Sequence, residues 1–126
     1  MASADHPNRP VLLAGRNRHV RELLARELAR EGFEVRESAP GPECVSQVCG
    51  EAAMLVLDVE LPGLDVLGII RRARGVRPGL PVALFAHRED EVGECLKEPG
   101  VYFVHKDEDP GSLVRTVRGM LERNTA

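Results

Sequence analysis

Tryptophan is absent from this chain, tyrosine occurs once and phenylalanine three times, so aromatic residues make up only 3% of it. Rings this sparse exclude the stacked aromatic platform on which proteins hold single-stranded nucleic acid. An excess of positive charge is missing too: 17 Lys and Arg stand against 20 Asp and Glu, a formal net charge of -3. The chain alone therefore lacks the electrostatic footprint of a nucleic-acid-binding domain. No apolar run approaches the roughly 20 residues needed to span a bilayer, so no membrane contact is expected. The opening MASADHPNRP also lacks the apolar stretch of a secretory signal. The expected location is the cytoplasm. Cysteine is scarce: Cys44, Cys49 and Cys95 are an odd number without zinc or disulfide spacing, and they read as small apolar residues in a reducing compartment.

What is present is enough for one domain. The chain has 126 residues, 43% of them hydrophobic and 29% charged, which is ordinary for a globular protein with one core. A flexible polar arm is expected over 1–9, a single domain over 10–123 and a short tail over 124–126. The apolar run from Pro10 to Ala14, ending at Gly15, has the pattern of a strand buried on both faces. From the N-cap candidate Asn17, Val20, Leu23, Leu24 and Leu28 fall on one helical face, and Gly32 stops the helix. Residues 33–37 alternate as a strand, and Pro40-Gly41-Pro42 leads into a short helix carrying Val45 and Val48. Met54-Leu55-Val56-Leu57 reads as a central strand closed by Asp58.

Asp65 then caps a helix with Val66, Leu67, Ile69 and Ile70 inward and Arg71, Arg72 and Arg74 at its basic end. Gly75 and Pro78 are expected to end it. A fourth strand is predicted over 81–86, a weaker helix interrupted by Gly93 over 87–97, and a fifth strand over Val101–His105. A last helix opens at Asp109-Pro110 with Leu113, Val117, Met120 and Leu121 inside. Five strands alternating with helices specify an α/β fold, a doubly wound parallel sheet in three αβα layers. Reactive groups in such sheets gather at the carboxyl ends of the strands. The side chains to question are thus Gly15, Arg16, Asp58, Ala86 and Lys106.

The stretch Leu57-Asp58-Val59-Glu60-Leu61-Pro62-Gly63-Leu64-Asp65, with Val104-His105-Lys106, resembles the bacterial response-regulator receiver domain. Supporting stretches are Val20-Arg21-Glu22-Leu23-Leu24, Leu80-Pro81-Val82 and Glu94-Cys95-Leu96-Lys97, and the likeness runs over 10–123. It implies a flavodoxin-like strand order of 2-1-3-4-5. It also implies membership of a two-component signalling system or phosphorelay, with a histidine kinase, phosphotransfer protein or output protein as partner. Asp58 takes the phospho-acceptor position.

The chain departs from the family's pattern at several places. Where the family has a pair of acids that help hold magnesium, this chain has Gly15 and Arg16. Phosphoryl transfer to a carboxylate relies on a metal to offset like charges. With Asp58 the one evident carboxylate, and Glu60 contributing at most from its loop, magnesium affinity should be poor and no cofactor is expected. Ala86 replaces the hydroxyl that bonds the phosphoryl group, so Phe103, at the switch-aromatic position, loses its trigger. Asp107 replaces the family's proline after Lys106; a cis bond there would cost about 3 kcal/mol, so trans is expected.

The leading expectation is a pseudo-receiver, a module acting by protein contact in which Arg16 and Lys106 hold Asp58 as an ionised anchor. The family's dimer and output face, built from the 87–97 helix, the fifth strand and the last helix, would serve for contacts or a homodimer. Gly93 and Pro99 make that face unusual. A second reading is a working response regulator phosphorylated on Asp58. A third is a small flavodoxin-like enzyme, for which no nucleophile elbow, metal cluster or cofactor loop is present; no enzyme activity is expected. His87 reads as a loop histidine, His105 as packing turned away from Lys106, and the arginines at 71, 72, 74 and 77 as a solvated helix end.

Overall fold

Runs of apolar residues with no polar alternation form the centre of the sheet in the computed structural model, which describes residues 9–15, 17–38, 51–59, 65–106 and 110–125. β1 (Val11–Ala14) pairs in parallel with β2 (Val35–Ser38) on one side and β3 (Met54–Asp58) on the other. β4 (Val82–Ala86) and β5 (Val101–His105) follow, giving the expected order β2-β1-β3-β4-β5. β1, β3 and β4 are buried at every position, as central parallel strands covered on both faces must be.

Three α-helices are among the described residues: α1 (Arg18–Arg30), α2 (Val66–Val76) and α3 (Pro110–Thr125). The period of two along each strand divides the core into two layers. Val11, Leu13, Met54, Val56, Phe85 and Val104 pack with Leu24 and Leu28 of α1 and Leu113, Val117 and Met120 of α3. Leu12, Leu55, Leu57, Leu84 and Ala86 pack with Ile69 and Ile70 of α2. The caps are where the sequence puts them. The Asn17 side chain accepts from the amides of His19 and Val20 at 3.0 and 3.2 Å, and Asp65 accepts from Gly68 at 2.9 Å. Among the described residues no helix is long and apolar enough to cross a membrane.

Four expectations are corrected or bounded. The strand expected over 33–37 runs from Val35 to Ser38, because Phe33 is still part of the helix ending, its amide donating to the Leu28 carbonyl at 3.1 Å beyond Gly32 at φ 94°. α2 passes through Gly75 and ends at Val76; Pro78 forces Arg77 out of the helical region, to φ -131° and ψ 87°. The 87–97 segment is no α-helix. It forms two 3₁₀ turns, Glu89–Val92 and Cys95–Lys97, whose buried residues Val92 and Cys95 lie three apart and so share one edge at three residues per turn. Pro99 holds Glu98 extended and prevents further winding. The helix expected around Val45 and Val48, the Asp109 cap, Cys44, Cys49 and the Lys106–Asp107 bond lie outside the described residues.

Candidate functional site

Asp58 ends β3 at the carboxyl edge of the sheet, where its register neighbour on β4 is Phe85. Alternation along β3 puts its side chain on the α1 and α3 side, in line with Met54 and Val56. Lys106 follows β5. Its amide donates to the Ala86 carbonyl at 2.8 Å, which fixes where its side chain starts. The ammonium passes 5.8 Å from the centroid of the Phe85 ring and stops 2.5 Å from Asp58 Oδ1. The two side chains are only 4% and 1% exposed. Either charge alone at this depth would be costly; together they are compensated, and each becomes a structural requirement of the other.

Gly15 completes the cluster from β1. Its amide donates to the Ser38 carbonyl of β2 at 3.1 Å, and a Cβ built on it would stand 2.7 Å from Asp58 Cβ and 3.2 Å from Oδ2. The β1 backbone thus lies directly on the Asp58 side chain. Arg21, one turn into α1, donates from Nη1 to the Gly15 carbonyl at 2.5 Å and from Nε to Glu37 at 3.2 Å. The ends of β1, β2, β3 and β5 are consequently tied to one another by charge and hydrogen bonds around one buried carboxylate.

Of the residues singled out from sequence, Gly15, Asp58 and Lys106 come together. Ala86 is fully buried in the α2 layer and reaches the cluster only through its carbonyl. Phe103 is half-buried on that same α2 side, its ring edge-on to His105 at 5.9 Å. His105 thus faces away from Lys106 as alternation requires, while His87 is exposed. Arg16 and Glu60 lie outside the described residues. Arg21 and Phe85 were not singled out from sequence; Arg21 stands four positions after the cap Asn17, a spacing that places it over the strand end, while Phe85 is hidden within an apolar run. Burial, aided by Glu98, Asp65 and Glu94, pushes the Cys95 thiol up, in keeping with a packing role. Among the described residues no three His, Cys, Asp or Glu side chains converge as metal ligands.

Away from this edge, β5 and α3 border an open groove of about 390 Å³ lined by Tyr102, Phe103, Thr116 and Arg123, among others. The Arg123 guanidinium lies 4.9 Å over the Tyr102 ring. No α-helix flanks this groove before β5, because the 3₁₀ turns occupy that place.

The response regulator receiver domain, as a family model, matches residues 11–118. Response regulator MprA of Mycobacterium tuberculosis is 35% identical over 85 residues, 67% of this chain and 36% of that protein. Transcriptional regulatory protein GltR of Pseudomonas aeruginosa is 30% identical over 120 residues, 91% of this chain and 50% of that protein. The chain therefore spans half or less of the length of these relatives. Among solved structures, the receiver domain from the hybrid histidine kinase CckA superposes with a TM-score of 0.74 at 30% identity, covering 89% of this chain and 98% of that one.

Proposed function

The chain belongs to the response regulator receiver family of two-component signalling, and from that premise we propose that it is a regulatory module that works by protein contact, without magnesium-dependent phosphorylation of Asp58. The observation that supports the reading is the end of β1: Gly15 stands where the family has a metal-binding acid, and a Cβ there would lie 2.7 Å from Asp58 Cβ. A carboxylate that must accept a phosphoryl group has to be reached by the donor and relieved of charge repulsion while it reacts. Here Asp58 is 2% exposed and the end of β1 at Gly15 lies against it.

The methyl of Ala86 has no proton to donate to a phosphoryl oxygen, and Gly15 and Arg16 bring no carboxylate where the family has its acid pair. The module has no catalytic step of its own and acts in the cytoplasm. Its partners are proteins of the same signalling class: a histidine kinase, a phosphotransfer protein or an output unit such as those of the longer relatives. The β5–α3 groove supports contact there in a manner of its own, since the flanking helix is replaced by 3₁₀ turns.

A second reading, Asp58 as a working phospho-acceptor, is favoured by the position of Asp58 at the end of the central strand beside a lysine. Titration with magnesium and beryllofluoride, followed by amide and carboxyl NMR, separates the two. Contact-only signalling predicts no saturable shifts centred on Asp58. Saturating shifts there would establish the second reading and end the first.

A further inference from the structure

Resting on that reading of the site, we infer that Gly15 is the residue that closes it. The absent side chain at 15 lets the end of β1 settle on Asp58, in the place where the family carries one of its metal-binding acids. The close approach is between backbone-determined atoms. A Cβ at position 15 would meet Asp58 Cβ at 2.7 Å, and no rotamer of either residue moves a Cβ. Gly15 is not among the glycines with positive φ, which among the described residues are Gly32, Gly79 and Gly100, so the demand for glycine here is one of space rather than of backbone conformation.

The two strand ends have little freedom to part. Ala14 is in register with Leu57 immediately before the contact, the Gly15 amide is held by Ser38, and its carbonyl is held by Arg21. The peptide groups on both sides of the Gly15 Cα are therefore tied where β1 comes closest to Asp58.

A magnesium ion does not fit the described residues. It requires near-octahedral oxygen ligands at about 2.0–2.1 Å and keeps several waters. Asp58 has one oxygen already against an ammonium, Gly15 brings no ligand, and among the described residues no three His, Cys, Asp or Glu side chains converge. The Lys106 ammonium stands against Asp58 Oδ1, its starting point set through the Ala86 carbonyl. Loss of the acid at 15 is thus more than the removal of a ligand, because the volume of that ligand is now occupied by the packed strand end. Replacing the acid alone would not rebuild an ion site.

Gly15→Ala and Gly15→Asp in the full chain test this, read by thermal unfolding, by the Asp58 carboxyl and Lys106 ammonium resonances, and by magnesium titration. Gly15→Ala adds one methyl and no charge. It should lower the melting temperature by about 5 °C or more, the usual scale for overpacking in a domain of this size. It should also shift the Asp58 and Lys106 resonances far more than those of Leu80 at the opposite end of the sheet. Gly15→Asp should behave likewise and show no saturable magnesium shift. Two results would overturn the inference: a Gly15→Ala protein that melts with the parent and leaves both resonances unmoved, or a Gly15→Asp protein that gains saturable magnesium binding centred on Asp58. Should Gly15→Asp not fold, Gly15→Ala decides alone. Magnesium binding by the unaltered chain is a separate outcome that would overturn the contact-only function, whereas the Gly15→Ala readouts bear on the closure itself.

Discussion

Two cations brace this sheet from opposite ends, Lys106 at the carboxyl edge and Arg74 at the amino edge. Arg74, on α2, donates from Nε and Nη2 to the Leu80 carbonyl at 3.0 and 2.8 Å, and Nη2 would lie 2.9 Å from a Cβ on Gly100. Lys106 meets a carboxylate next to Gly15. In both places a cation and a glycine allow elements to approach closely. The chemistry differs: Arg74 satisfies a neutral carbonyl at a half-buried loop, whereas Lys106 neutralises a charge that is wholly buried. The same kind of brace is therefore a convenience at one end and an obligation at the other. At the obligatory end it also engages the side chain that gives the family its chemistry.

Breaking the carboxyl-edge pair should have the largest effect. Lys106→Met or Asp58→Asn alone should lose about 3–5 kcal/mol by chemical denaturation, since each leaves a buried group uncompensated, while the double variant should recover most of the loss. Equal losses in the singles and an additive double would mean that the two side chains do not depend on each other. Arg74→Ala should cost less, about 1–3 kcal/mol, because only a carbonyl loses its donors and water reaches part of the site. A loss as large as that of Lys106→Met would erase the contrast between the ends. Smallest, and opposite in sign, is Gly75→Ala: nothing lies within 4 Å of its would-be Cβ in α2, so the helix should gain about 0.5–1 kcal/mol. Destabilisation there would show that close packing is not what makes Gly15 special.

Much of this arrangement is legible in the sequence. The apolar runs gave the three central strands, the caps Asn17 and Asp65 marked two helix starts, and Asp58 and Lys106 were expected at one strand edge, where they meet. The composition of the 87–97 segment allows a helix, but Val92 and Cys95 bury three apart in 3₁₀ turns, with Pro99 closing the segment. Gly75 looked like a stop, yet the stop lies in the restriction Pro78 places on Arg77. At the site, the sequence indicated that Gly15 brings no ligand, but a contact of 2.7 Å between strand ends depends on how two backbones settle in three dimensions. Arg21 escaped notice for a similar reason, being one arginine among several on a charged helix until the Gly15 carbonyl and Glu37 come within its reach.

In the proposed function Asp58 pairs with Lys106 and holds no metal, which the melting temperature of the unaltered chain across a magnesium series at matched ionic strength will test. An ion bound only by the folded state stabilises in proportion to the logarithm of its concentration, about 2.7 kcal/mol at a hundredfold excess over Kd. A flat line is expected, the same for magnesium as for the matching monovalent salt. A melting temperature that climbs with magnesium, and stops climbing in Asp58→Asn, would contradict it.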